Sequence, residues 1–439
     1  MTSFVKIEVH AHLNGCVRME TLKELYAKHY PDEDIDLSLP DNLDECFHLF
    51  DAIHKVTLFK ENVRRIAFEV VSDFAKDRVI YLELRTTVHE TENFTMEEYI
   101  QEVYTGVREA TRVNPSITVR LILSINRKSP EKIDSIVNLI QRSMMKYPDF
   151  IVGVDLAGNP SLNTFQEFVP ALTALRNMGL SITLHFAELM NKEEQQAMID
   201  FNPDRLGHAV RVSNDTTFSD TKTPVEVCLS SNVFTKSVES AETHPMKLEH
   251  KKRPLFFCTD DTLLFNNTPS TELELALTAF ELDEKQVLEI LFESVNHLFC
   301  KRPTMDHIRK QIIYHAFSRG VDAAFLDYFT VVVDSFDEAN RIHQESIESG
   351  DETFFYFYSD WCPDCIASKE ILNRVPPVQP MVMVNVGEKP YWKDQENEYR
   401  TEMNINCIPT LQLVSSFEVV ASFGEQECQN EDLLMELLL

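Results

Sequence analysis

Eight short apolar runs lie before residue 262, and helical patterns separate many of them. The runs are residues 5–12, 79–85, 118–125, 151–156, 181–186, 205–208, 225–229 and 255–258. Most are nearly continuous Val, Ile, Leu or Phe, the pattern of strands buried on both faces. Between the first two, residues 61–76 carry Val63, Ile66, Ala67, Val70, Val71 and Phe74 at helical spacing. Residues 96–113, 130–147 and 164–178 read the same way, with Pro130 suited to a first turn and Gly179 to a helix stop. Strand and helix alternating eight times predict an α/β fold, a (β/α)8 TIM barrel. Helices from residue 271 to about 319 would complete it.

A second unit is expected to follow, dividing the chain into domains 1–325 and 326–439. Residues 330–333 are β-branched, 337–348 read as a polar helix, and Ser349-Gly350-Asp351 as a turn. The β-forming run 354–358 then leads into Trp361-Cys362-Pro363-Asp364-Cys365.

Acidic residues outnumber basic ones by 71 to 41 among 439, a formal charge of −30. That argues against a nucleic acid polymer as partner and against anionic membranes, while leaving room for a small anionic substrate held by a few donors. The first residues run directly into a strand pattern, with no N-terminal signal pattern and no apolar stretch long enough to span a membrane. The nine cysteines are odd in number and dispersed, with one close pair, which points to a reducing compartment and a cytoplasmic protein.

Chemistry-bearing residues collect near the ends of the apolar runs, and in a barrel those ends converge. His10 and His12, two apart on a strand, face the same side. His185 ends a later strand, Glu188 lies on the turn after it, and His208 and the pair Asp260-Asp261 follow. Nitrogen and carboxylate donors in this layout suit one zinc ion in a metal-dependent hydrolase. Each residue has an ordinary structural reading too: Glu188 as a helix N-terminal acid, His208 as a satisfied buried histidine, Asp260-Asp261 as a helix cap. Their joint occurrence on successive strands favours the site. His343-Gln344-Glu345 has the H-x-E spacing of another zinc-hydrolase design, but no Pro-Cys-x-x-Cys accompanies it, which excludes that design. The fourth run lacks a bridging lysine, which favours one metal over two.

The ordered motifs H-A-H-L-N-G, G-V-D-L-A-G, T-L-H-F-A-E, R-L-G-H-A, C-L-S-S-N and C-T-D-D resemble the adenosine/AMP deaminase superfamily over about residues 5–320. Within it the chain is most similar to the adenosine deaminase-like group, whose members deaminate N6-methyl-AMP. The resemblance implies that His10, His12, His185 and Asp260 ligate Zn2+, one per chain. It implies that Glu188 protonates purine N1, that His208 orients and stabilises the attacking hydroxide, and that Asp261 bonds N7. The Gly158 N–H would reach N3. Zinc can bring the pKa of bound water to roughly 7, and a carboxylic acid suits the N1 protonation. The implied reaction is N6-methyl-AMP plus water to IMP plus methylamine.

The substrate side of the resemblance includes His12, Asn14, His54, Thr86, Thr87, Val88, His89, Asn126, Gly158 and Asp261. Asn14 stands where nucleoside deaminases usually carry an aspartate near the 5′ oxygen. An amide can donate to a 5′-phosphate that a carboxylate would repel; Asn14 also reads as a plain turn residue before Gly15. The loop Thr86-Thr87-Val88-His89 ends in His89 where the family often has Arg, and Asn126 stands where an Asp is expected.

Cys362 and Cys365 could form half a zinc site, but no second close pair exists, and a strand before and a helix after them favour a thioredoxin-like dithiol. Cys362 at the helix start would attack and Cys365 would resolve. Ile408-Pro409-Thr410 would be the cis-proline loop, with Pro409 facing the thiols. W-C-P-D-C together with V-G-E-K-P-Y-W-K-D resembles the thioredoxin domain-containing protein 17 type over about residues 326–439. That implies disulfide substrates and a thioredoxin-reductase-type electron donor. Two rival functions stay open from sequence: a deaminase acting on the nucleoside adenosine, and a redox or interaction protein whose barrel is a scaffold.

Overall fold

Eight parallel strands form one sheet in sequence order: β1 Lys6–His12, β2 Val79–Thr86, β3 Thr118–Asn126, β4 Ile151–Ala157, β5 Ser181–Phe186, β6 Arg205–His208, β7 Val225–Val227 and β8 Leu255–Phe257. The computed structural model describes residues 4–438 apart from 34, 41–42, 320, 322–329, 350–351, 375–378 and 416–417. Each strand pairs in parallel with the next. The seam between β8 and β1 is drawn together past the end of β8, where Ala11 bridges Asp260 and the Asp260 N–H donates to the His10 carbonyl at 2.9 Å. The sheet is therefore a nearly closed barrel, as the alternation of runs predicts.

Helices cross between the strands and present apolar faces to the sheet. Lys60–Lys76 buries Val63, Ile66, Ala67, Val70, Val71 and Phe74, the six residues whose spacing marked it. Met96–Val113 starts at a capping box: Thr95 Oγ1 accepts the Glu98 N–H at 3.2 Å and Glu98 accepts the Thr95 N–H at 2.9 Å. Such a cap satisfies end donors that would otherwise stay unpaired, typically worth about 1 kcal/mol. Residues 130–147 begin as a 3-10 turn, Pro130–Lys132, and continue as an α-helix over Ile133–Lys146. The seventh run stops two residues early, at Val227, because Leu229 already opens the short helix Leu229–Phe234. The eighth stops at Phe257. Both departures matter for the site, since they turn the chain at the mouth of the barrel.

Contacts divide the chain into units Met1–Met305 and Asp306–Leu439, a division that falls inside the helix Arg302–Ser318. The expected boundary at 325/326 lies among residues 322–329, outside the described residues, as do Gly350 and Asp351 of the expected turn.

The C-terminal unit holds a five-stranded sheet of β9 Thr330–Val333, β10 Thr353–Tyr358, β11 Met381–Asn385, β12 Thr410–Ser415 and β13 Glu418–Phe423. Its order is β13-β12-β10-β11-β9, with β9, β10 and β11 parallel and β12 and β13 antiparallel to their neighbours. Central β10 is buried along its whole length, which its T-F-F-Y-F-Y sequence predicts. Helices Phe336–Ser349, Pro363–Arg374 and Glu431–Leu438 complete a thioredoxin-like domain. No described helix in the chain is long and apolar enough to cross a membrane.

Candidate active site

The strand ends bring four imidazoles and a carboxylate together. His10 and His12 come from β1, His185 from β5 and His208 from β6, with ring centroids 4.7–5.4 Å apart among the five contacting pairs. Asp260 follows β8 in a left-handed backbone conformation, φ 62°. Its Oδ1 lies 3.5 Å from His12 Nε2 and 3.8 Å from His10 Nε2, and its Oδ2 accepts the Ser231 hydroxyl at 2.8 Å. Ala187, His208 and Ala209 are also left-handed, at φ 53°, 63° and 52°. Non-glycine residues there typically cost about 1–3 kcal/mol each and cluster where function holds them.

Carboxylates inside the barrel set the rings. His10 Nδ1 bonds Glu226 Oε2 of β7 at 2.7 Å, and His185 Nδ1 bonds Asp155 Oδ1 of β4 at 2.9 Å. Ionised carboxylates only accept, so each Nδ1 carries a proton, and the neutral ring has its lone pair on Nε2. His10 Nε2 is buried and makes no hydrogen bond. Imidazole lone pairs converging beside Asp260 form a donor set that fits zinc. Among the described residues, ligand atoms of His10, His185 and His208 lie within 4.8 Å of one another, as do those of His10, Cys228 and Asp260. Cys228 was not singled out from sequence; burial pushes its thiol pKa well up, and its sulfur faces the Glu226 carbonyl.

Burial opposes charge on Glu226, but Arg85 and Arg205 hold it well below the usual carboxylate range. Burial likewise opposes Asp155, and His185 and Arg85 bring it to about 2. Burial lowers His12 to about 4. His185 goes the other way: Asp155 outweighs burial and raises it to about 9.

Sequence reasoning missed the layer of charge beneath the histidines. Glu83, Arg85, Asp155, Arg205 and Glu226 have no exposed surface. Arg85 donates to the Val9 carbonyl at 2.6 Å and to Glu226 at 2.8 Å, and it pairs with Asp155 at 3.3 Å. Arg205 donates to Glu226 at 2.7 Å and to Glu83. Glu8 accepts the N–H groups of His10 and Thr259 at 2.8 and 2.9 Å, clipping β1 to the segment after β8 at the seam. The signal was present as a period of two: Glu8, His10 and His12; Glu83 and Arg85; Thr183 and His185. A charged residue at alternate positions of an apolar run points into the barrel.

At the mouth, half-buried Glu188 shares a cleft with His185, Arg127 and Glu194. Asp261 precedes the short helix Thr262–Phe265. A Cβ on Gly15 would lie 1.7 Å from Asp261 Oδ1, so the glycine of H-A-H-L-N-G is what lets this carboxyl enter. A Cβ on Gly207 would sit 2.9 Å from the His10 ring, which explains the glycine of R-L-G-H-A.

Tyr99, also missed from sequence, gathers the expected substrate residues. Its hydroxyl bonds Thr86 at 2.7 Å and reaches Asn14 Oδ1 at 3.4 Å, and its ring lies 4.6 Å from that of His89. His89 bonds the Thr57 carbonyl at 3.0 Å and lies 5.9 Å from the exposed His54 ring. Thr87 is half-buried and Val88 buried. Asn126 Oδ1 caps its own turn through the Lys128 N–H at 2.8 Å and borders Gly158, which is exposed after β4.

In the C-terminal unit the peptide between Ile408 and Pro409 is cis, as the loop sequence led us to expect. Cys362 Sγ lies 3.6 Å from the Ile408 carbonyl and accepts the Cys365 N–H at 3.4 Å. Trp361 Nε1 donates to the Gly387 carbonyl at 2.8 Å, which anchors the motif to the loop after β11. Burial raises the Cys365 thiol, the more enclosed of the pair.

Comparison with known proteins matches this geometry to two families. The adenosine deaminase family model covers residues 5–315, and the thioredoxin domain-containing protein 17-like thioredoxin domain covers 332–439. The N6-mAMP deaminase of Arabidopsis thaliana is 35% identical over 345 residues, 71% of this chain and 95% of that protein. The N6-methyl-AMP deaminase of Homo sapiens is 31% identical over 325 residues, 70% of this chain and 92% of that protein. A crystal structure of arabidopsis ADAL complexed with IMP superposes with a TM-score of 0.66 at 34% identity, covering 73% of this chain and 99% of that one.

Proposed function

The chain belongs to the adenosine deaminase family, and from that premise we propose that it hydrolyses N6-methyl-AMP to IMP and methylamine. The observation that carries this reading is the convergence of His10, His12, His185 and Asp260 beside Glu188, His208 and Asp261 at one barrel mouth. His10, His12, His185 and Asp260 would hold one zinc ion, which supplies Lewis acidity that brings the pKa of water to roughly 7.

The chain's own groups do the rest. Glu188 donates a proton to N1 as the C6–O bond forms, which lowers the cost of breaking ring aromaticity. His208 stabilises charge on the attacking oxygen. Asp261 bonds N7 and the Gly158 N–H bonds N3, which holds C6 in place. The C6 hydroxyl then gives up its proton as C6=O forms, the C6–N6 bond breaks, and methylamine leaves with that proton on its nitrogen.

The phosphate side rests on Asn14. Tyr99 engages its carbonyl oxygen, which turns the amide nitrogen into the available donor. With His54, Thr86, Thr87, Val88 and His89 it forms the ribose and phosphate side of the pocket, and Asn126 flanks Gly158. A charge-assisted hydrogen bond is worth roughly 1.5–3 kcal/mol, and about 1.4 kcal/mol is tenfold in kcat/KM. Asn14→Asp should therefore cost nucleotides about tenfold or more and adenosine far less. The experiment measures kcat/KM for N6-methyl-AMP, AMP and adenosine with both proteins. Preference for adenosine in the wild type overturns the nucleotide reading and leaves a nucleoside deaminase.

For the C-terminal domain we infer dithiol–disulfide exchange. The Cys362 thiolate attacks a substrate disulfide, and Cys365 resolves the mixed disulfide. The substrate leaves as two thiols, Cys362 and Cys365 are oxidised, and a thioredoxin-reductase-type donor restores them. The odd, dispersed set of nine cysteines suits a reducing, cytoplasmic setting.

A further inference from the structure

Asn232, the last residue of C-L-S-S-N, and His244 have no role in the chemistry above, yet they form a buried chain leading to His208. The chain starts at a donor of fixed identity. The Met246 backbone N–H donates to His244 Nδ1 at 3.2 Å. A neutral imidazole that accepts at Nδ1 carries its proton on Nε2. Burial lowers the His244 pKa to about 3, so the ring is neutral at pH 7.

His244 Nε2 lies 3.1 Å from Asn232 Oδ1 and donates to it. That contact fixes the Asn232 amide, so its nitrogen faces His208 Nδ1, 3.1 Å away. His208 Nδ1 accepts, and its proton therefore sits on Nε2, the nitrogen 4.0 Å from Asp260 Oδ2. His208, Asn232 and His244 are 3%, 3% and 1% exposed, so water does not offer an alternative partner. His10 and His185 are set the opposite way, since each donates to a carboxylate through Nδ1, which leaves Nε2 as the lone-pair nitrogen of the neutral ring. Five ring contacts put all these imidazoles at similar distances; only their outer partners tell them apart.

We propose that Asn232 and His244 are positioning residues that hold His208 as the Nε2–H tautomer, so that it meets the reacting oxygen as a hydrogen-bond donor and not as a metal ligand. This rests on the deaminase reading of the site. Asn232→Asp reverses the polarity of the relay, because a carboxylate accepts from both histidines and draws a proton onto His208 Nδ1.

The test uses the full chain loaded with zinc and labelled with 15N-histidine, with the His208 signals assigned by their loss in His208→Ala. The expected wild-type pattern is a protonated Nε2 and an unprotonated Nδ1; in Asn232→Asp, Nδ1 becomes protonated. In that variant kcat falls by about 100-fold, the scale of losing one preorganised donor, while KM stays within about threefold. A wild-type His208 protonated at Nδ1 overturns the proposal, as does an unchanged tautomer in folded Asn232→Asp. The wild-type spectrum alone decides if that variant does not fold. A wild type with the expected tautomer but no deamination sinks the deaminase reading and leaves the relay standing.

Discussion

The two sites are built on opposite plans. Cys362 and Cys365 are three residues apart at the start of one helix, and a distant loop, at Pro409, lies against Cys362. The barrel site draws on β1, β5, β6 and the turn after β8, from His10 to Asp261. The local site sits on a sheet whose central strand is apolar and aromatic. The dispersed one sits on a buried layer of guanidinium and carboxylate groups that sets the His10 and His185 rings through Glu226 and Asp155. A site whose parts are far apart in sequence needs such a layer, because nothing local sets the ring orientations.

The largest expected effect tests whether the two plans are independent. Cys362→Ser should abolish disulfide reduction, followed by insulin turbidity, and leave deamination at the wild-type rate. Lost deamination with a folded barrel would break the separation. Next, Glu188→Gln should lower deamination by about 10²–10⁴-fold, the usual contribution of a general acid. Zinc should stay at one equivalent by metal analysis, and dithiol activity should not change. Asp260→Ala should instead reduce zinc content; a Glu188→Gln protein with near-normal turnover would remove Glu188 from the chemistry.

The buried layer gives a smaller effect. Asp155→Asn leaves His185 without its carboxylate and should weaken zinc binding by about 10–100-fold, measured by competition with a chromophoric chelator. Wild-type affinity would mean the carboxylate does not orient the ring.

The last effect concerns pH and bears on stability alone. Glu272 is fully buried behind the barrel mouth, bonded to Ser230 and Asn267, and desolvation pushes its pKa up to about 7. Its folded state holds a proton that the unfolded chain has released above its ordinary value of 4.5. The stability this gives is complete below pH 4.5 and is lost as pH rises through 7, by roughly 3 kcal/mol. Glu272→Gln should flatten that part of the urea midpoint between pH 5 and 8. An unchanged slope would move the pH dependence elsewhere.

Both plans left marks in the sequence, of different strength. The dithiol, its helix and the proline loop were legible because each is a short contiguous motif. The barrel was legible from its alternation, and the strand ends pointed to His10, His12, His185, His208 and Asp260. Tyr99, Asn232 and His244 were not legible. Tyr99 reads as one more apolar position on a helix face, Asn232 ends a family motif with no role attached to it, and His244 looks like an ordinary loop residue. Their meaning lies in partners far away in the chain.

The sequence by itself determined the strand–helix order, the families and the inventory of donors, because periodicity and short motifs are properties of neighbouring residues. Tertiary structure alone decided which nitrogen of each histidine faces the centre. Glu226, Asp155 and Asn232 lie 216, 30 and 24 residues from the rings they set. A hydrogen bond acts over about 3 Å of space whatever the separation along the chain. Chemically identical imidazoles become different groups only when the folded barrel gives His10, His185 and His208 different partners.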